Sequence, residues 1–329
     1  MTDIRRIKRM RNFVSRTVLQ ETPHHMAGHR CINTFAGEDL EDAVNLGYGV
    51  YYSRNGKRLL EATTQLETYQ VEDGTEVICD GAFCDTLATG ILLPNTVQAI
   101  GFNAFGGTRL TSMVIPENVS HIATVNPFAS NYTLEELTVR SPHFTVENGI
   151  LYSGDHKVMY GAVTKDYPKE LVIPDGVEVI ANRAFIKRKL ISVYMPDTVR
   201  QIGMGAFCHT QVREVHLSHS IHLIPTECFE DCQIENMEIP EGVEIISDGA
   251  LDSNTELKAL VLPSTLCTMG FGVLNNCPKL ERITAPASQR MLTLKAMQQA
   301  GLGNRGKLRS RRERCVIDGT PAITMVLTK

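Results

Sequence analysis

The chain has no tryptophan, and aromatic residues make up only 6% of its 329 positions. No apolar run reaches the ~18 residues of a membrane helix, which excludes a helical membrane span. The charged N-terminus is followed by no apolar stretch, so there is no recognisable export signal. If the chain is complete, this predicts a cytoplasmic protein. No Gly-x-Ser-x-Gly, phosphate-loop or zinc-protease phrase occurs, which removes the commonest local signatures of hydrolases and nucleotide enzymes. Gly301-Leu-Gly303-Asn-Arg-Gly306 has the letters of a dinucleotide loop. It follows a predicted helix rather than joining a strand to one, so that reading fails too. The cysteines, at 31, 79, 84, 208, 228, 232, 267, 277 and 315, are odd in number and show no paired zinc spacing. They are expected to be reduced, structural thiols.

Charge of one sign is scarce only locally. The net charge is −4, yet residues 1–20 and 305–314 are each strongly basic, so the body between them is acidic. Arg5, Arg6 and Arg9 at one end, and Arg309, Arg311 and Arg312 at the other, are candidates for contact with nucleic acid or an anionic membrane. Two solvated ends are the plainer reading of the same residues.

What the chain has in abundance is a phrase that returns about every 22 residues. It reads Ala82-Phe83, Ala104-Phe105, Pro127-Phe128, Ala184-Phe185, Ala206-Phe207, Cys228-Phe229, Ala250-Leu251 and Val273-Leu274. An apolar residue followed by proline keeps step with it at Pro94, Pro116, Pro174, Pro196, Pro240, Pro263 and Pro286, with Ser218 in the proline's place once. Self-similarity at this period marks a solenoid, in which each coil buries its faces only against its neighbours. The segment before each proline, such as Leu110–Ile115, is β-branched and alternating, and predicts a short strand that the proline ends. Val97, Ile100 and Phe105 then point inward along the rest of the coil. Such an array offers a broad surface rather than an enclosed pocket, so binding outranks catalysis.

The phase breaks once, between Pro116 and Pro174. The insert contains Gly149-Ile-Leu-Tyr-Ser-Gly-Asp-His-Lys-Val-Met-Tyr-Gly-Ala162, which aligns without gaps on Gly49-Val-Tyr-Tyr-Ser-Arg-Asn-Gly-Lys-Arg-Leu-Leu-Glu-Ala62. Strong turn formers between alternating runs make each a β-hairpin. The Ala-Phe phrases, the apolar-Pro strand ends and the Asn-Gly-Ile-Leu-Tyr-Ser hairpin recur together in phase. In this the chain resembles the BspA-like leucine-rich repeat family over roughly residues 47–286. The resemblance implies a protein of the bacterial or protist surface that binds a host or partner protein, at odds with the lack of an export signal.

The fold class that follows is an α/β repeat solenoid. It is a leucine-rich-repeat-type right-handed coil with a parallel β-sheet on one face, β-hairpin insertions and terminal helical caps. The expected organisation is an N-terminal helical cap with a degenerate first coil (1–46), a hairpin (47–68), repeats (69–139), a second hairpin (140–168), repeats (169–286) and a C-terminal cap (287–329). Within that last cap, residues 288–299 predict a helix ended by Gly301, Arg305–Arg314 a basic loop, and residues 315–328 a hairpin.

Strand phase then selects what faces outward. The central column is Leu92, Val114, Thr138, Val172, Tyr194, His216, Glu238, Val261 and Thr284, flanked by Arg213, Glu214, Glu235 and Asn236 among others. The concave sheet of a solenoid is a common binding surface. Tyr194, Arg213, Glu214, His216, Glu235, Asn236 and Glu238 mix an aromatic with both signs of charge, as protein interfaces do. A solvated sheet without a partner is the plainer alternative. His216, His219 and His222 have the look of a metal triad, but phase puts His216 on the sheet and the other two beyond it. His24, His25, His29 and Cys31 cluster only in a proline-containing connection. The expectation is therefore a non-enzymatic protein-binding scaffold with no cofactor and no metal.

Overall fold

Short β-branched stretches become strands here, and proline or glycine stops them within a few residues. The computed structural model of the chain describes residues 42–63, 65–286, 295, 296, 298, 309–317 and 320–328. It is a β-solenoid whose coils carry two ladders. The front ladder holds Thr68–Gln70, Gly90–Leu92, Ser112–Ile115, Glu136–Val139, Glu170–Val172, Ser192–Tyr194, Glu214–His216, Asn236–Glu238, Ala259–Val261 and Arg282–Pro286. Neighbours in it that bond to each other do so in parallel, as in Glu170↔Ser192↔Glu214 and Val172↔Tyr194↔His216. The back ladder consists of two-residue strands such as Val77–Ile78, Ala99–Ile100 and His121–Ile122, also parallel.

The core lies between the ladders. Phe83, Phe105 and Phe128 stack in one column with ring centroids 5.8 and 5.4 Å apart. Phe185, Phe207 and Phe229 form a second column at 5.6 and 5.3 Å. All six rings are fully buried. The one-coil offset thus converts a sequence repeat into a stack of parallel rings, each worth more than its buried area alone.

The position three residues after each Phe or Leu is a second internal ladder. Thr108, Asn131, Thr210, Cys232, Asn254 and Cys277 occupy it, all buried. Their side chains bond the backbone or each other, as in Thr108 Oγ1 to the Phe105 carbonyl (2.7 Å) and Asn254 Nδ2 to the Phe229 carbonyl (2.7 Å). Cys79, Cys84, Cys208, Cys228, Cys232, Cys267 and Cys277 form no disulfide.

The two hairpins do not decorate the solenoid; each starts a new run of the back ladder. Arg58–Ala62 pairs in parallel with Val77–Ile78, and Val158–Ala162 pairs in parallel with Val179–Ile180. They share one hydrogen-bond plan. Ser53 and Ser153 Oγ accept from the Arg58 and Val158 amides, and Asn55 and Asp155 accept from the Lys57 and Lys157 amides. The lysines then pair with Glu76 and Glu178 at 2.7 and 2.8 Å. Where the second hairpin interrupts the coils, Asn126 Nδ2 donates to the carbonyls of both Ala162 and Ala184 (3.0 and 3.1 Å). Gly161 permits this approach: its φ is +115°, and a Cβ there would run into the Ala184 carbonyl. Arg188, 4% exposed, fills the internal-ladder position of the next coil. It donates Nη2 to the Ala162 carbonyl at 3.0 Å and lies 5.7 and 5.5 Å from the Tyr132 and Tyr167 ring centroids. A cationic side chain thus sits where the other coils keep a smaller one, bonded to the end of the neighbouring hairpin strand.

Three expectations are not met as stated. The fold is not α/β: the leg opposite the front sheet is strand and turn. A coil of about 22 residues closes in extended chain at ~3.3 Å per residue, whereas a helix at 1.5 Å per residue needs a longer repeat. Each coil also carries a left-handed residue two after its Phe or Leu, including Lys187 (φ 57°), His209 (56°) and Asp231 (50°), which stops a helix from propagating. Helical caps are not shown: no full helical element lies among the described residues, although Lys295, Ala296 and Gln298, within the expected 288–299 helix, are helical. Of the N-terminal helical cap expected within residues 1–46, residues 1–41 lie outside the described residues. At the C-terminal end, Arg309–Arg314 belongs to a strand and not to a loop. Arg309–Ile317 and Thr320–Thr328 form an antiparallel hairpin whose second strand pairs antiparallel with Arg282–Pro286. A strand bonded to the last front strand closes a sheet edge that a loop would leave open.

Candidate interaction surface

Side chains alternate along a strand, so register alone decides what the front sheet presents. Val172, Tyr194 and His216 are direct cross-strand partners, and all three are exposed, Val172 at 69%. The Tyr194 and His216 rings stack, with centroids 4.4 Å apart and planes within 11°. Glu214, two residues before His216 and on the same face, bonds His216 Nε2 at 2.8 Å. It also accepts from the Tyr194 hydroxyl. The bond to His216, then the one to Tyr194, holds the Glu214 carboxyl below its usual range. Desolvation, followed by the hydrogen bond to Glu214, pushes the Tyr194 phenol up. Tyr194, Glu214 and His216 are thus one connected cluster whose members fix each other's orientation.

The remaining site residues are placed differently. Glu235 pairs with Lys258 at 2.7 Å. That bond, with a smaller contribution from Arg213, lowers its carboxyl. Arg213 is exposed beside the cluster. Asn236 and Glu238 are exposed on the following strand, opposite Ala259 and Val261. His219 and His222 lie apart from His216: His219 Nδ1 meets Asp197 at 3.0 Å, and His222 Nδ1 meets the Gly242 carbonyl. Arg5, Arg6 and Arg9 fall outside the described residues, while Arg309, Arg311 and Arg312 lie in the outer strand of the C-terminal hairpin. Among the exposed apolar side chains that the sequence does not single out are Ile191 (44%) and Tyr132 (50%). Ile191 immediately precedes the strand that carries Tyr194, a position the apolar-Pro phrase leaves unconstrained. Among the described residues, no helix is long and apolar enough to cross a membrane.

A model of the BspA-type leucine-rich repeat region matches residues 56–157 and 178–301 in six copies. No curated protein matches. Among solved structures, a leucine-rich cell surface protein from Faecalibacterium prausnitzii is 28% identical with a TM-score of 0.63; the match covers 70% of this chain and 62% of that one. The chain therefore spans less than two thirds of that protein's length. A leucine-rich repeat protein from Eubacterium ventriosum, 18% identical, gives a TM-score of 0.55 over 70% of this chain and 77% of its own. The pneumococcal vaccine antigen PcpA, 22% identical, gives 0.50 over 66% and 50%. The last two likenesses are of fold.

Proposed function

This chain belongs to the BspA-type leucine-rich repeat family, and from that premise we propose that it is a non-enzymatic scaffold that binds another protein through its front sheet, around Tyr194. The observation that carries this reading is the Tyr194–Glu214–His216 cluster. It presents a large ring held by a stack at 4.4 Å and a hydrogen bond next to the exposed Val172. A pre-oriented aromatic loses little side-chain freedom on binding, and tyrosine and arginine carry much of the energy at protein interfaces. Exposed apolar side chains next to charges of both signs suit an interface centre with a polar rim. Arg213, Glu235, Asn236 and Glu238 supply that rim. The F. prausnitzii relative is described as a cell surface protein, and a surface location for this chain belongs to the same proposal.

The test is capture of a partner from extracts and surface fractions of the source organism. Arg213→Ala and Glu238→Ala should each weaken capture while leaving thermal unfolding unchanged. Capture equal to wild type by both variants would overturn the proposal.

A further inference from the structure

The solenoid period stacks one more set of side chains, on the turn wall rather than the front sheet. Cys208 and His209 follow Phe207, and Glu230 and Asp231 follow Phe229, one coil later. The backbone locks this register, since the His209 amide donates to the Glu230 carbonyl at 2.8 Å. The Cys208 sulfur, a His209 ring nitrogen and a Glu230 carboxylate oxygen all lie within 4.8 Å of one another. We propose that Cys208, His209 and Glu230 form a zinc-binding site.

The geometry suits that ion. Zinc bonds sulfur at about 2.3 Å and carboxylate oxygen at about 2.0–2.2 Å, so a tetrahedral S–O edge is about 3.6 Å. Cys208 Sγ and Glu230 Oε2 stand 3.5 Å apart. One soft donor, one imidazole and one carboxylate make a set that favours zinc over calcium or magnesium. A water completes four-coordination on the exposed His209 side. Asp231 Oδ2 meets His209 Nδ1 at 2.7 Å, the kind of carboxylate partner that orients a ligating histidine. On binding, the S–H bond of Cys208 breaks and the S–Zn bond forms. The thiol proton leaves to solvent, so each zinc bound releases one proton.

The experiment uses the full chain, purified under reducing conditions and stripped of metal, with cobalt(II) as the spectroscopic probe and zinc as the competitor. One equivalent of cobalt should give a thiolate-to-cobalt charge-transfer band that zinc abolishes, with proton release. Cys208→Ser should remove the band. His209→Ala, a change at an exposed position, should weaken zinc binding by about tenfold or more. Cys267→Ser and His219→Ala should behave as wild type. A missing thiolate band, or a band that survives in both Cys208→Ser and His209→Ala, would overturn the proposal. The second outcome would assign the metal to other residues of the chain.

Discussion

Tyr194 and His216 are cross-strand partners whose rings stack at 4.4 Å, within 11° of parallel. The same one-coil offset that stacks Phe185, Phe207 and Phe229 inside the solenoid stacks these two outside it. Inside, the stack stabilises the fold. Outside, it orients an exposed aromatic surface.

Phe207 has a buried ring above it and another below. Phe207→Ala should therefore cost about 3–5 kcal/mol, with Phe207→Leu much milder because Leu251 and Leu274 already serve in the same column. Urea unfolding of the two variants checks this, and equal losses would contradict it.

Lys187 is exposed and holds φ at 57°. A left-handed backbone costs a non-glycine residue about 1–2 kcal/mol, partly offset by the extra freedom glycine has in the unfolded chain. Lys187→Gly is expected to stabilise the protein by up to about 1 kcal/mol, measured as a raised urea midpoint.

Asn126 joins the second hairpin to the coils on either side through bonds to Ala162 and Ala184. Its Oδ1 also accepts from the Phe128 amide at 2.9 Å. Asn126→Ala leaves these buried groups without that partner and should cost about 1–3 kcal/mol. Hydrogen exchange should localise the loss to the hairpin and its two neighbours.

Buried thiols make the fold sensitive to alkali. Burial pushes Cys232 and Cys277 up to about 12 from an ordinary 9.0. The folded state thus favours the neutral thiol. Its contribution is complete below pH 9 and is lost as pH rises from 9 towards 12. Burial also pushes Tyr160 to about 12 from 10.0, which adds to the loss above pH 10. The melting temperature should decline through this range, and less steeply in Cys277→Ala.

The repeat phrase made the coil legible because one residue type at one spacing fixes both the strand and the buried ring. Proline positions located the front strands, and alternation along them put Val172, Tyr194 and His216 in a single column. The composition of the return leg was harder to read. Val-x-x-Ile suits a helix face and a pair of short strands equally well, and only the length of one coil decides between them. Arg309–Arg314 read as a loop because charge obscures strand pairing when the partner strand lies beyond a turn. Cys208 and Glu230 are separated by a full coil, so no local spacing joins them; applying the period to the residues after each phenylalanine would have done so. Arg188 stands out in sequence only as an exception to its ladder, and its bond to the neighbouring hairpin strand is tertiary.

In the proposed function the front sheet, and not the back ladder, carries recognition. The most direct test compares capture of the partner protein by Tyr194→Ala, on the front, with Glu178→Ala, on the back, at matched thermal stability. At least about a tenfold loss is expected for the front variant, the scale of a hot-spot residue, with the back variant binding as wild type. Equal binding by both, or a loss confined to the back variant, would contradict it.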